Sequence, residues 1–269
     1  MIMRTIHYHW RIHLVTALLV FCSISISLGA EPSEYILSNG MKVLLVEVPK
    51  APVATVQVWY KVGSRNEVMG RAGLSHMLEH MMFKGTARYP KGSFSRIVRK
   101  NGGIDNAFTG QDFTAYFENM AADRVGLALE LEADRMQGLL LDHSEFQTER
   151  DVVKEERRLR SEDDPQGALV EALFAQAFLS HPYHWPVIGW FADLDAMSLE
   201  DLQRHYDTFY SPNNATLVVV GDIKSDSLLP TIKRLFEPIP RGPSPKQTLA
   251  PEPEQRGERR FLLKREAQV

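Results

Sequence analysis

The stretch LSHMLEHMMFKGT (residues 74–86) places two histidines and a glutamate inside an otherwise apolar run. On a helix with about 100° per residue, His76 and His80 lie one turn apart on one face, and Glu79 lies beside them. Two imidazoles at positions i and i+4 can bind one zinc ion, with a glutamate close enough to reach a water in the open position. The order His-x-x-Glu-His is the inverse of the His-Glu-x-x-His order of other zinc helices.

The apolar residues of this run predict a helix that is buried on most sides, ending near Gly85. They are Leu74, Met77, Leu78, Met81, Met82 and Phe83. Burying two imidazoles and a carboxylate among them is unfavourable unless a partner satisfies them, and a divalent cation would do so. The alternative interpretation is that the three residues are ordinary polar groups on a helix surface.

A catalytic zinc site needs a third protein ligand and one open position. The helix predicted over residues 144–160 offers several carboxylates. Val152, Glu156 and Leu159 have the spacing i, i+4, i+7, so Glu156 projects from an apolar stripe. Glu155 shares its face with charged residues and is expected in solvent. We therefore predict Glu156 as the third ligand and Glu155 as a surface carboxylate.

Glu149 lies two turns before Glu156 on nearly the same face, about 10 Å away along the helix axis. This separation is too large for both carboxylates to bind one ion. Two roles stay open for Glu149. It can hold a ligand histidine or a substrate group, as carboxylates near zinc commonly do, or it can form a salt bridge with Arg150 or Arg135.

The composition is that of a folded protein. Of the 269 residues, 44% are hydrophobic and 24% are charged, and the net charge is -3. Such a charge gives no reason to expect nucleic acid as a partner, because a phosphate-binding surface needs a basic excess.

Residues 1–30 have the pattern of a secretory signal peptide. Arg4 and Arg11 precede the run HLVTALLVFCSISISLGA (residues 13–30), which ends in small residues. This run is shorter than the ~20 apolar residues of a membrane span, so an uncleaved anchor is the lesser reading. Cys22 is the only cysteine, and cleavage near Ala30 removes it, which excludes disulfides and thiolate ligands. We expect an exported protein of the bacterial periplasm, with no stable membrane insertion after cleavage.

The remaining chain alternates strand and helix patterns. Asn39-Gly40 joins two strand-like runs and is a strong hairpin signal. Further strands are predicted in residues 53–64, 106–120 and 215–222, with helices between and after them. Hairpins mixed with helices predict an α+β fold, in which a mostly antiparallel sheet is covered by helices on one side.

Four segments are predicted along the chain. Residues 1–30 are the signal peptide, and residues 31–237 form the zinc-binding domain. Residues 238–257 are a linker, because six of the fifteen prolines fall within residues 238–253. Residues 258–269 read as a strand that begins a truncated second domain. The alternative is that this strand folds back onto the first sheet.

Several motifs together resemble the N-terminal half of the pitrilysin/insulinase zinc peptidases, the group that includes mitochondrial processing peptidase. The resemblance extends from about Tyr35 to the end of the chain. In order, the motifs are HMLEHMMFKGT, GGIDNAFTGQDFTAYFENM, ERDVVKEERR, HPYHWPVIG and NNATLVVVGD.

The resemblance implies one Zn²⁺ per chain, held by His76, His80 and Glu156, which agrees with the choice made from periodicity. It also implies that Glu79 is the general base of peptide hydrolysis. Glu149 corresponds to a family glutamate that precedes the zinc-binding glutamate on the same helix, and it is expected to be a second catalytic residue. In such enzymes the strand with the NAFT sequence lies beside a substrate bound as an added strand, so Asn106 and Ala107 are expected to contact the peptide backbone. The alternative interpretation is that Asn106 and Ala107 are ordinary residues at the start of a strand.

The family architecture implied is two related halves that close around a chamber. In family enzymes, an arginine and a tyrosine of the second half hold the substrate. By the resemblance, the corresponding positions are expected beyond Val269. We therefore expect a peptide or unfolded-protein substrate and a second homologous half or subunit as partners. A non-catalytic scaffolding or peptide-binding subunit is the alternative function. His181 and His184 are expected in an aromatic loop, with a second metal site as their alternative.

Overall fold

The structure is a computed structural model that describes residues 31–245 and 251–266. The predicted signal peptide lies outside the described residues. The described residues from Pro32 onward group into one compact unit. None of the described helices is both long enough and apolar enough to cross a bilayer.

Strands and helices follow one another along the described chain much as the hydrophobic patterns predict. The strands are β1 (Ser33–Ile36), β2 (Lys42–Glu47), β3 (Val53–Tyr60), β4 (Ile104–Thr109), β5 (Thr114–Ala121) and β6 (Ala215–Gly221). The helices are α1 (Leu74–Met81), α2 (Ser93–Lys100), α3 (Val125–Gly138), α4 (His143–Arg157), α5 (Pro165–Ala177), α6 (Phe191–Ala196), α7 (Leu199–Phe209) and α8 (Ser225–Phe236).

The six described strands form one sheet with the order β1-β2-β6-β3-β5-β4. All neighbours are antiparallel except β2 and β6, which run parallel. The β1-β2 hairpin turns at Asn39-Gly40 as predicted, and Gly40 has φ 92° there, a conformation that glycine adopts without strain. Asn39 donates to the carbonyl oxygens of Phe236 and Ile239, so it also ties the turn to the end of α8.

The helices cover one face of the sheet. Buried and half-buried residues alternate along β3 and β6, which is the pattern of strands with one packed face. The buried side joins apolar residues of the helices in one core, which includes Val58, Leu217, Met77, Leu129 and Phe236. The predicted α+β class with a mostly antiparallel sheet, covered on one side, is confirmed.

A buried ion cluster fastens α3 to the sheet. Arg135 contacts Glu132 on its own helix and Glu118 on β5, and all three side chains are almost inaccessible to solvent. The guanidinium also lies 4.3 Å from the ring centroids of Phe94 and Tyr116. Arg135 therefore pairs with these two carboxylates and not with Glu149, which excludes one of the two salt-bridge partners left open for that glutamate.

Two local details differ from the sequence patterns. The capping residue of α4 is Asp142, whose carboxylate accepts from the backbone N–H groups of Ser144 and Glu145. Helix α4 therefore begins at His143, one residue before the predicted start at residue 144. Residues 258–266 form no strand in the described part of the chain. The division into domain, linker and second domain stays a prediction.

Helix α1 is held from behind by α7. Nε2 of His205 and the hydroxyl of Ser75 are 3.1 Å apart, and both side chains are buried. Burial lowers the pKa of His205 to about 4. The folded protein therefore keeps this imidazole neutral at pH values where an unfolded chain would protonate it.

This difference predicts a pH dependence of stability. Because the pKa of His205 in the folded protein lies below the ordinary value of 6.5, the unfolded chain binds a proton at this residue more readily than the folded protein does. The stabilising contribution of His205 to the free energy of unfolding is therefore complete above pH 6.5 and is lost as the pH falls toward 4. The fully developed loss is about 3 kcal/mol. In denaturant titrations across this window, we expect the free energy of unfolding of His205→Asn to fall less than that of the wild type. His143→Asn, an exposed histidine, is the control, and an unchanged slope in His205→Asn would contradict the prediction.

Candidate metal centre

Helices α1 and α4 bring His76, His80 and Glu156 together. Nε2 of His80 lies 3.3 Å from Oε2 of Glu156, and Nε2 of His76 lies 3.6 Å from the same oxygen. The three potential ligand atoms all lie within 4.8 Å of one another. Within the described residues, this is the one such group of three or more His, Cys, Asp or Glu side chains.

The geometry and chemistry of this group fit zinc. Ligand atoms at ~2.0–2.2 Å from a tetrahedral ion are separated by roughly 3.3–3.6 Å, and both nitrogen-to-oxygen distances lie in that range. Two imidazoles and one carboxylate are a ligand set used by catalytic zinc sites, which leave the fourth position open. His76, His80 and Glu156 would therefore be the residues that hold the ion.

Glu149 contacts His80, one of the two candidate ligand histidines. His80 Nδ1 donates to Oε1 of Glu149 at 2.9 Å, and Lys84 pairs with the other oxygen. Burial tends to raise the pKa of Glu149, but the contacts with His80 and Lys84 outweigh it and lower the pKa. With Nδ1 engaged in this way, Nε2 of His80 faces Glu156. Of the two roles left open, the hydrogen bond to a histidine is the one in the structure.

The two histidines differ in their electrostatic surroundings. Burial acts to lower the pKa of His80, yet the hydrogen bonds with Glu149 and Glu156 raise it to about 9. These carboxylates stabilise positive charge at His80, and a cation can take the place of the Nε2 proton. Burial and the neighbouring His80 lower the pKa of His76 to about 4. The buried Nδ1 of His76 has no hydrogen-bond partner among the described residues.

Glu79 lies on the same helix with its carboxylate held by β4. The hydroxyl of Thr109 donates to Oε2 of Glu79 at 2.5 Å. Burial raises the pKa of Glu79, although the Thr109 hydrogen bond acts in the opposite direction. A carboxylate with a raised pKa is a better proton acceptor than one in water, which suits a general base.

Glu156, the third candidate ligand, lies on a more exposed surface than the apolar residues near it in the sequence predict. Val152 is 47% exposed and Leu159 is 61% exposed, so the expected buried stripe is wrong at these two positions. Val153 is the apolar residue of this stretch that is buried. Arg160, in the single π-helical turn Arg158–Glu162 that follows α4, pairs with Oε1 of Glu156 at 2.8 Å. The contact leaves Oε2 to face the two histidines.

Glu155 points away from the histidines. Its carboxylate pairs with Arg158 at 2.6 Å, and its side chain is 59% exposed. His181 accepts a hydrogen bond from the backbone N–H of Tyr183 and lies 5.6 Å from the ring of Phe178, within the expected aromatic loop. His184 packs edge-on against Trp185 in the same loop.

Asn106 and Ala107 lie on β4, which is an edge strand of the described sheet. The backbone N–H of Ala107 donates to Oδ1 of Asn106 at 2.9 Å rather than to β5. This donor therefore faces the free edge, next to α1. The free edge of β4 lies near the two histidines, because Thr109 at the end of β4 contacts Glu79, which is on the same helix as the histidines.

Three residues of the centre were missed by the sequence reasoning. Thr109, Lys84 and Arg160 contact Glu79, Glu149 and Glu156 respectively. Helical spacing carried a signal for Arg160, which is four residues after Glu156 and on its face. Thr109 carried none, because its contact depends on how β4 packs beside α1.

Comparison with known proteins identifies relatives of the whole fold. A sequence model of the insulinase family, peptidase family M16, matches residues 42–189. A second model, described as the peptidase M16 inactive domain, matches residues 196–269. The zinc protease PqqE of Helicobacter pylori is 42% identical over 204 residues, which cover 76% of this chain and 46% of that protein. The chain spans about half the length of the curated relatives it matches.

Solved structures show the same fold. The crystal structure of a protease from Helicobacter pylori has a TM-score of 0.80 and 39% identity, covering 83% of this chain and 55% of the other. The first half of the periplasmic protease PqqL from Escherichia coli has a TM-score of 0.75 and 23% identity, covering 84% and 50%. The second likeness is one of fold alone.

The two neighbouring glutamates of α4 allow a matched test of the centre. Glu156→Gln removes the oxygen that faces both histidines, so we expect it to lose most of its zinc after dialysis. Glu155→Gln changes a surface carboxylate and should keep near-stoichiometric zinc, as the wild type should. Metal content by mass spectrometry checks both. Equal zinc in the two variants would contradict the proposed ligand set.

Proposed function

Because this chain belongs to the insulinase family, peptidase family M16, we propose that it acts as a zinc-dependent metalloendopeptidase on peptides or unfolded polypeptide segments. One observation carries the proposal. Nε2 of His76 and Nε2 of His80 face one oxygen of Glu156, at 3.6 and 3.3 Å. We assign these three residues as the ligands of one Zn²⁺ per chain, with Glu79 as the general base.

When bound, zinc would supply Lewis-acid chemistry, polarising the scissile carbonyl and lowering the pKa of a water, and His76, His80 and Glu156 would hold it. Glu79 accepts the proton of the attacking water at its carboxylate and passes it to the leaving amine. Thr109 keeps one oxygen of Glu79 in place. The raised pKa of Glu79, which its burial causes, matches a group that must take up and release a proton in one cycle.

Glu149 acts through His80 in this proposal. Its hydrogen bond to Nδ1 sets the tautomer and the ring orientation, so Nε2 carries the lone pair for the ion. Lys84 holds the other oxygen of Glu149 and compensates part of its charge. We therefore assign Glu149 a positioning role rather than direct contact with substrate.

We propose that substrate binds at the free edge of β4 as an added strand. The N–H of Ala107 is occupied by the side chain of its own neighbour, Asn106, and an incoming peptide carbonyl could replace that contact. Main-chain recognition of this kind accepts many sequences, since it reads the backbone rather than side chains. It would suit unfolded segments as substrates.

A second homologous half or subunit is part of the proposal, because the curated relatives are about twice as long as the matched region. The alternative is a non-catalytic subunit that presents peptides to an active partner. Residues 196–269 match a family domain described as inactive, and the four proposed residues lie before it, within residues 42–189, which supports assigning the chemistry to that region. We also infer export to the bacterial periplasm, on the pattern of residues 1–30 alone.

Replacement of Glu79 separates catalysis from metal binding. We expect Glu79→Gln to lower the cleavage rate of a fluorescently labelled unfolded polypeptide by about 10²–10⁴-fold, because an amide cannot take up the proton. Zinc content should not change, since Glu79 is not a proposed ligand.

Glu155→Gln is the matched control for this assay and should cleave at the wild-type rate. Cleavage that survives in Glu79→Gln would refute Glu79 as the base. Peptide binding without any cleavage in the wild type, alone and with a second half added, would favour the non-catalytic subunit.

Two changes on β4 test strand addition. Ala107→Pro removes the N–H that faces the free edge, and proline is tolerated on edge strands. In the zinc-loaded Glu79→Gln background, we expect it to weaken peptide binding by about tenfold, the effect of one lost hydrogen bond. Asn106→Ala frees the same N–H and should bind at least as well. Fluorescence anisotropy gives both affinities, and wild-type affinity in Ala107→Pro would exclude this binding mode.

A further inference from the structure

Helix α1 carries the two proposed histidine ligands but begins without a cap of its own. Its N-terminal flanking residue is Gly73, in the left-handed conformation with φ 97°, and this residue has no side chain to accept a hydrogen bond. The first N–H groups of any helix lack partners within the helix. At a buried helix start such as this one, another part of the chain must supply the acceptors.

Glu67 supplies them. Its Oε2 accepts from the N–H of Gly73 and its Oε1 accepts from the N–H of Ser75, both at 2.7 Å. The side chain is only 6% exposed. A carboxylate at this position also faces the positive end of the helix dipole. Glu67 therefore does for α1 what a capping side chain normally does from within the helix.

Glu67 is itself fixed by the loop that follows β4. It follows the short turn Ser64–Asn66, whose backbone N–H groups donate to the carbonyl oxygens of Gly110 and Gln111. The indole N–H of Trp185 donates to the carbonyl oxygen of Ser64 at 2.7 Å. The position of Glu67 is thus linked to the strand that carries Thr109, and through Thr109 to Glu79.

The two ligand histidines depend on this arrangement to different degrees. His80 has Glu149 to orient its ring, whereas Nδ1 of His76 has no hydrogen-bond partner among the described residues. The backbone of the first turn of α1 therefore contributes to the place of His76, beside the contacts of its ring with His80 and Glu156. Ser75, whose N–H is bound by Glu67, is the residue directly before it.

We propose that Glu67 is a positioning residue of the metal centre, which holds the first turn of α1 so that Nε2 of His76 faces Glu156. This inference rests on the proposed function, because it takes His76 as a ligand. Burial raises the pKa of Glu67 to about 8, against the lowering effect of the N–H groups of Ser75 and Gly73. Glu67→Gln replaces one acceptor oxygen by an NH₂ group, which cannot accept from a backbone N–H. The change therefore removes one of the two hydrogen bonds to α1, whichever protonation state Glu67 has in the wild type.

The chain offers a matched control at another helix. Glu47, at the end of β2, accepts from the N–H of Ser225 at 2.8 Å and from Lys224 at 3.0 Å. Helix α8 likewise lacks a capping side chain at its own flanking residue, Lys224. Glu47→Gln removes the same kind of remote cap from a helix that carries no proposed ligand.

The test compares zinc affinity, from competition with a chelator, and the visible absorption spectrum after Co²⁺ substitution. We expect Glu67→Gln to weaken zinc binding by about 10–100-fold, the range found when a partner that orients a ligand is removed. The Co²⁺ bands should shift or lose intensity, which a general loss of stability would not cause in the folded, loaded protein. Glu47→Gln should keep the wild-type affinity and spectrum.

Each outcome decides the inference. Wild-type affinity and spectrum in Glu67→Gln would overturn it while leaving the proposed function intact. No zinc binding by the wild type would overturn both. If Glu67→Gln does not fold, Glu67→Asp keeps a carboxylate with a shorter reach and should show the same weakening to a smaller extent. Equal losses in the Glu47 and Glu67 variants would indicate stability alone and would also overturn it.

Discussion

The candidate metal centre depends on how one buried helix is packed against another. Helix α1 must present two imidazoles to α4 while its remaining faces stay within the core. Glu149 and Glu156 of α4 meet His80 from two sides, so both ring nitrogens of His80 have a carboxylate partner within this contact. Arg157, the residue after Glu156, is buried and forms a two-armed pair with Glu171 of α5 at 2.8 and 2.9 Å. This pair fixes the end of α4 at the point where its carboxylate is needed.

Much of this arrangement could be predicted from residue spacing. The positions of His76 and His80, one turn apart, and the different faces of Glu155 and Glu156 follow from helical geometry alone. The exposure of Val152 and Leu159 could not be predicted, because periodicity shows that side chains share a face but not what covers that face. Here no described element covers these two side chains fully.

Contacts between distant segments were the other gap. The short distance between Thr109 and Glu79 arises from the packing of an edge strand beside α1, and no local pattern encodes it. The same holds for Glu67, whose partners follow it closely in sequence but depend on a glycine turn and a buried loop. Hydrophobic patterns predicted the sheet and its helices because each strand has one packed face. Side-chain networks need the assembled fold.

The order of the strands has a consequence for how the chain folds. Strands β2 and β3 are neighbours in sequence, yet β6 lies between them in the sheet and pairs with both. The native sheet cannot form completely until β6, the last of the six described strands along the chain, is available for pairing. Until then β2 and β3 present unpaired backbone edges, which are sites of mispairing and aggregation. Such non-local pairing also slows folding, so the nascent chain stays open for longer than a protein built from consecutive hairpins.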